Sequence, residues 1–263
     1  MGNLVRLLLA SAGLLMATFA SSTAGAADHI TMRIEVHGLA GMHVANDHTV
    51  ISETGDRYAI TGDIQTLGAA GLFQDLKKHS EARGRLIATG AQPEAYHAET
   101  HRNGAERRDK VDFRAASVAS GGSTPPESVT AAPTRGAVDP LTAYFLVERQ
   151  LGRGGDCTMK VPVFDGHNRY NLIFSDAGEQ TLSPSGGQKY SGAAKACRMQ
   201  REAVAGYPNG ENDMPRQGTI WYARLVAGDL MLPVRLKMVT EIGTVDGYLA
   251  ELHGRGKDLR LID

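Results

Sequence analysis

Residues 154–172, GGDCTMKVPVFDGHNRYNL, gather chemically reactive residue types around one turn. Cys157 could act as a nucleophile if a neighbouring histidine, such as His167, lowered the pKa of its thiol. Asp165 and Arg169 could then serve as an acid and an anion clamp. The same residue types also suit a hairpin held by a disulfide, so the stretch has two interpretations.

The turn interpretation explains more of this stretch than catalysis does. Asp165-Gly166 is a dipeptide that permits the positive φ of a tight hairpin. Asp165 and Arg169 would need catalytic partners that the sequence does not identify. We therefore assign no catalytic residue and expect His167 and Arg169 to be exposed turn residues whose role is open.

The chain contains two cysteines, Cys157 and Cys197. In an oxidising compartment an even number of cysteines favours a disulfide. Such a bridge would stabilise the fold by roughly 3–4 kcal/mol. A reactive thiol is the alternative, although a free thiol pair is unusual outside the cytoplasm.

A second candidate for chemistry is the pattern His97, Glu99 and His101. On a strand these three side chains point to one face, and alternate residues are about 6.5–7 Å apart, so two of them could share a metal ion. No third ligand is identifiable, and Tyr96 and Ala98 on the opposite face suit the interior better. We expect a solvated outer face, with no metal and no cofactor.

The N-terminus indicates where the protein works. Arg6 precedes an apolar run over residues 7–20, and Ala24-Gly25-Ala26 forms an A-x-A cleavage signature. This arrangement is typical of a secretory signal peptide, here residues 1–26. The run is shorter than the ~20 apolar residues of a membrane-spanning helix. We expect residues 27–263 to form a single periplasmic domain without a transmembrane segment.

Composition and charge exclude some classes of function. Apolar residues make up 42% of the chain and charged residues 22%, which suits a globular protein with a core. The formal net charge is −1. Nucleic acid is therefore not expected as a partner, because the chain has no excess of basic residues.

Most of the chain has the alternation of β-strands. Ile30, Met32 and Ile34 share one face of the first strand, and Asn103-Gly104 is a strong hairpin signal. Many short strands with turns between them predict an all-β, mainly antiparallel fold with a curled or barrel-like sheet.

One helix and one loop interrupt the strands. Asp139 can cap a helix whose first position is Pro140, which predicts a covering helix near residues 139–151. The Ser-, Gly- and Pro-rich residues 116–138 before it predict a flexible loop.

Several motifs, in their order and spacing, resemble the exported bacterial family known as domain of unknown function 3108: GDRYAITGDIQTLGAAGLFQD, VDPLTAYFLVER, VFDGHNRYNL, AKACRMQREAVAGY and VTEIGTV. The resemblance covers nearly the whole mature chain. It implies a mostly β, barrel-like or spiral fold in the envelope and a bridge between Cys157 and Cys197. It implies no reaction, since the family has no agreed activity.

Three functions remain open from the sequence. The first expectation is a non-enzymatic periplasmic protein that supports the cell envelope by binding an envelope protein or component. The second is a carrier that holds an apolar or lipid-like ligand inside the curved sheet, as barrels of about eight strands can. The third and least supported is a hydrolase or metalloenzyme.

Overall fold

The structure is a computed structural model that describes residues 28–38, 41–115, 117–121, 134–206, 215–240 and 243–262. The predicted signal peptide, residues 1–26, lies outside the described residues. The described part consists mainly of antiparallel strands, which confirms the predicted fold class.

Fourteen strands and two helices make up the described part of the chain. The strands are β1 Asp28–His37, β2 His43–Thr54, β3 Arg57–Thr66, β4 Leu76–Ile87, β5 Gly90–Arg102, β6 Ala105–Asp112, β7 Ser117–Gly121, β8 Met159–Phe164, β9 Arg169–Leu182, β10 Gly192–Ala205, β11 Gln217–Ala223, β12 Leu232–Thr240, β13 Gly243–Gly254 and β14 Lys257–Arg260. The helices are α1 Ala70–Phe73 and α2 Pro140–Gly152.

The strands form one sheet built from two meanders. The sheet order is β7-β6-β5-β4-β3-β2-β1-β13-β12-β11-β10-β9-β8, and β14 pairs with β13 outside this path. The first strand therefore lies in the middle of the sheet, where Ile30 pairs with Gly254 and Ile34 with Leu249. Ile30, Met32 and Ile34 are buried, as their alternation predicts.

The sheet curls until its two ends pack against each other without closing. Phe164, at the end of β8, packs in one buried cluster with Ala82 of β4, Tyr96 of β5 and Val111 of β6. Small residues such as Ala82 allow a strand to come close to its neighbours across the curl. The result is a half-closed shell with an apolar interior.

Helix α2 lies inside this shell. It begins where the sequence predicts, because Oδ1 of the N-cap Asp139 accepts a hydrogen bond from the Thr142 backbone N–H over 2.8 Å and Pro140 occupies the first turn. The Tyr58 hydroxyl lies 2.8 Å from Thr142 Oγ1 and links the helix to β3. The helix ends at Gly152, where a Cβ would lie 2.1 Å from the Asp229 carbonyl, so only glycine allows this close approach.

The predicted flexible loop at residues 116–138 needs a correction. Ser117–Gly121 forms strand β7, which pairs with β6. At the other end Thr134 and Ala137 are buried, and Val138 forms a parallel bridge with Val163 of β8. Residues 122–133 lie outside the described residues.

Candidate ligand-binding cavity

A cavity of about 440 Å³ lies inside the curled sheet and is partly open to solvent. Small-molecule sites have volumes of about 300–1,000 Å³. Strands β1, β2, β3, β11, β12 and β13 and helix α2 contribute most of its wall. The wall is largely aliphatic, and its apolar residues include Met32, Ile34, Ile60, Ile64, Leu236 and Met238.

The cavity opens at one rim of the shell. Its lining includes residues at the ends of neighbouring strands, among them Thr66 of β3, Leu76 of β4 and Arg102 of β5. Two exposed apolar side chains stand at the same rim: Met42, just before β2, and Leu72 of α1. We call this rim the mouth.

The opposite rim is closed by helix α2 and a set of ion pairs. Arg149, only 5% exposed, contacts Glu53 at 2.8 Å and Asp229 at 2.7 Å. Arg255 joins Glu53 at 2.9 Å and Asp28 at 2.8 Å. These contacts tie the C-terminal part of the helix to β1, β2 and the segment before β12. The cavity is therefore closed at this rim, and we call its closed side the floor.

One face of α2 forms this floor. Leu141, Tyr144, Phe145 and Glu148 all line the cavity. Their spacing of i, i+3, i+4 and i+7 places them on one side of a helix. Three of the four carry apolar or aromatic surface, and the fourth is an acid.

Glu148 is the unusual member of that face. The residue is 6% exposed, and its Oε2 has no hydrogen-bond partner among the described residues. Burial without a partner raises the pKa of the carboxyl group to about 8, because the charged form loses its hydration. At neutral pH Glu148 is therefore mostly a neutral acid facing an apolar space.

A second acid, Asp47 of β2, lines the same cavity. Burial raises its pKa to about 6, although the Thr49 hydroxyl donates a hydrogen bond to it over 3.4 Å. Burial raises the pKa values of the Tyr144 and Tyr222 phenols. Asp47 adds to the rise at Tyr144, where Arg201 opposes it, and Glu148 adds to the rise at Tyr222. Glu148, Asp47, Tyr144 and Tyr222 are the titratable groups of the inner wall, and we call them the acidic corner.

The sequence interpretation missed Glu148. The sequence predicts a covering helix near residues 139–151 from its N-terminal cap, but that prediction did not consider the acid on its apolar face. A charged residue within an otherwise apolar helical face was the available signal.

The cysteines lie behind α2, away from the cavity lining. Cys157 and Cys197 are both fully buried, their Cα atoms are 5.6 Å apart, and their Sγ atoms are bonded. Neither cysteine is a free thiol in this structure. The stretch that could have held a thiol nucleophile therefore holds a structural crosslink between the α2–β8 connection and β10.

The Asp165-Gly166 turn has the hairpin geometry, but its surroundings differ from the prediction. Asp165 Oδ1 accepts hydrogen bonds from the backbone N–H groups of His167 and Asn168, and Gly166 has φ +98°. His167, predicted to be exposed, is buried. The reason is the curl of the sheet, which brings Gly166 against Asp109 of β6.

Arg169 is also less exposed than predicted. It is half-buried, and its guanidinium donates a hydrogen bond to the Arg135 carbonyl over 2.8 Å. This contact connects the start of β9 to the segment that precedes α2. Arg169 therefore has a structural contact where the prediction left its role open.

The structure does not bring His97, Glu99 and His101 together as metal ligands. His97 Nε2 lies 3.2 Å from Glu99, whereas His101 pairs with Asp75 at 3.5 Å. Within the described ranges no three His, Cys, Asp or Glu side chains are placed to hold a metal ion. Tyr96 and Ala98 on the other face are buried.

Similarity to known proteins identifies the family of this chain. A family model described as "Protein of unknown function (DUF3108)" matches residues 31–250. The chain belongs to the DUF3108 family. The predicted resemblance is thus confirmed, and the cavity is a feature of a DUF3108 protein. No curated protein matches the chain significantly.

Among solved structures, this DUF3108 chain is similar to a β-barrel-like protein of domain of unknown function DUF1849 from Brucella abortus. The two share 10% sequence identity and superpose with a TM-score of 0.48, over 88% of this chain and 99% of the other. In the described part of the chain, neither helix has the length and apolar character needed to cross a bilayer.

Proposed function

We propose that this protein is a periplasmic carrier that binds an apolar ligand inside its curled sheet and in this way supports the cell envelope. The observation that carries the proposal is the cavity of about 440 Å³, which has an aliphatic wall and is closed at one rim by α2. Apolar cavities of this size favour apolar guests because burial removes the guest's surface from water.

The mouth of the cavity gives further support for a carrier. The mouth is flanked by the exposed apolar side chains of Met42 and Leu72, which are 56% and 87% exposed. Exposed apolar side chains beside an opening suit the transfer of an apolar molecule in and out. The N-terminal sequence supports the periplasmic location, which fractionation and N-terminal sequencing of the mature protein would test.

A cavity-filling variant tests the carrier function. Ala45 is buried, lines the cavity and can be changed to Phe, which places a ring in the open space. Ala59, on the outer face of β3, is exposed, so Ala59→Phe is a control with the same change in side chain.

The assay is binding of the fluorescent apolar probe N-phenyl-1-naphthylamine, together with mass spectrometry of molecules extracted from protein purified from the periplasm. The unmodified protein and Ala59→Phe should bind the probe and carry an extractable apolar ligand. Ala45→Phe should lose both. Equal probe binding by Ala45→Phe and Ala59→Phe would show that the cavity is not the binding site.

A further inference from the structure

The acidic corner indicates which apolar ligand the cavity takes. Glu148 and Asp47 line the cavity, and neither forms an ion pair with any residue that the structure describes. Glu148 Oε2 is moreover buried without a hydrogen-bond partner in the described part of the chain. An unpaired buried polar atom is costly, so one that faces a cavity calls for an explanation, and a ligand that fills the cavity and pairs with the atom is one.

The charged and titratable groups of the cavity wall limit which ligand head groups can bind beside the acidic corner. The titratable groups of the cavity wall are Asp47 of β2, Tyr144 and Glu148 of α2, Tyr222 of β11 and Arg102 of β5. Arg102 stands at the mouth, at the last position of its strand. The inner wall therefore carries acids and phenols, an arrangement that favours a cation and disfavours a carboxylate.

Resting on the carrier function proposed above, we propose that the ligand is an amphiphile with an apolar chain and a protonated amine, and that the amine binds the Glu148 carboxyl group. The chain lies among the aliphatic side chains of the wall. The ammonium N–H donates to Oε2, for which the described ranges offer no other partner. Tyr144 and Tyr222 add aromatic surface beside the cation, and the Asp47 carboxylate adds a second negative charge in the same cavity.

Binding of this kind moves one proton. With a pKa of about 8, Glu148 is mostly protonated at neutral pH in the empty protein. The ammonium ion stabilises the carboxylate, so the Glu148 proton leaves to the buffer as the ion pair forms. Amine binding at pH 7 should therefore release about one proton per ligand.

Three probes of equal chain length separate the contribution of the head group to binding affinity from that of the apolar chain. They are octylamine, octanol and octanoate, each used at concentrations where it is monomeric. Isothermal titration calorimetry of the protein purified from the full-length chain should rank octylamine tightest and octanoate weakest. Repeating the octylamine titration in buffers of different ionisation enthalpy measures the proton released.

Glu148→Gln keeps the size of the side chain but cannot become an anion. We expect this variant to bind octylamine about 10- to 100-fold more weakly, the loss of one charge-assisted hydrogen bond, and to release no proton. Its affinity for octanol should stay unchanged. Glu179→Gln, the same substitution at an exposed position of β9, should match the unmodified protein in every titration.

Asp47→Asn is a second, independent variant that should also weaken octylamine binding more than octanol binding. If octanol binds as tightly as octylamine and Glu148→Gln changes neither, the amine assignment is wrong while the carrier function stands. If none of the three probes binds and Ala45→Phe also leaves probe binding unchanged, the carrier function itself fails.

Discussion

Glu148 makes the stability of this protein depend on pH in a direction opposite to that of most carboxyl groups. Its carboxyl pKa rises from 4.5 to about 8 on folding because burial disfavours the charged form. The folded state therefore holds the proton more tightly than the unfolded state. The stability that neutral Glu148 provides is present below about pH 4.5 and is lost as the pH rises towards 8.

The size of the effect follows from the two pKa values. One unit of pKa difference corresponds to about 1.4 kcal/mol, and at pH 7 the unfolded carboxyl is ionised while the folded one is mostly protonated. The linkage relation then gives a loss of about 3 kcal/mol in the free energy of unfolding at pH 7. This loss is a large part of the stability of a typical domain.

Glu148→Gln removes the titration and should reveal this loss. We expect the difference in free energy of unfolding, variant minus unmodified protein, to rise by about 3 kcal/mol between pH 4.5 and pH 7. Urea unfolding of both proteins with the disulfide intact measures it at each pH. Asp47 and Asp139, whose pKa values burial raises to about 6, titrate in both proteins and cancel in the difference.

The control is Glu179→Gln, an exposed position where the same difference should stay within about 0.5 kcal/mol at every pH. A flat profile for Glu148→Gln as well would mean that the Glu148 carboxyl is solvated or paired in the folded protein. The reasoning on the acidic corner would then be refuted.

Three further predictions concern the residues around the cavity. Arg149→Met removes the arginine that contacts the half-buried Glu53 carboxylate at the closed rim, and it should lower the free energy of unfolding by about 3 kcal/mol, measured by urea unfolding. A loss below about 0.5 kcal/mol would show that the ion pairs do not hold the helix. Replacing Cys157 and Cys197 together with Ala should cost about 4 kcal/mol for a crosslink that spans 40 residues, and the same loss should follow reduction of the unmodified protein. Gly152→Ala should cost about 1–3 kcal/mol because its Cβ overlaps the Asp229 backbone, and a thermal unfolding midpoint equal to that of the unmodified protein would contradict this contact.

The secondary-structure elements that are set by residues close together in the sequence could be predicted. The alternation of Ile30, Met32 and Ile34 predicts the buried face of β1, and Asp139-Pro140 predicts the start of α2, because strand alternation and helix capping are set within a few residues. Strand β7 was missed since its Ser- and Gly-rich sequence has little β-propensity. It forms a strand because β6 offers an open edge for pairing.

The candidate site depends on contacts between distant residues, which a sequence pattern does not reveal. His167 is buried because β8 and β9 curl back onto β6, which lies far away in the chain. Asp47 and Glu148 line the same cavity only because the sheet brings strands from both meanders around α2. An acid on the apolar face of α2 was visible in the sequence, but the space that it faces was not.

The position of β1 in the middle of the sheet has a consequence for the order of folding. Its partner on one side, β2, follows directly in the chain, whereas its partner on the other side is β13, with Arg33 paired to Glu251 across 218 residues. When the chain emerges with its N-terminus first, the β1–β7 meander can form before the other strands. One edge of β1 then has no hydrogen bonds until β13 pairs with it. An open edge strand invites pairing with other chains, so a chain that folds in this order needs protection of β1 until β13 has formed.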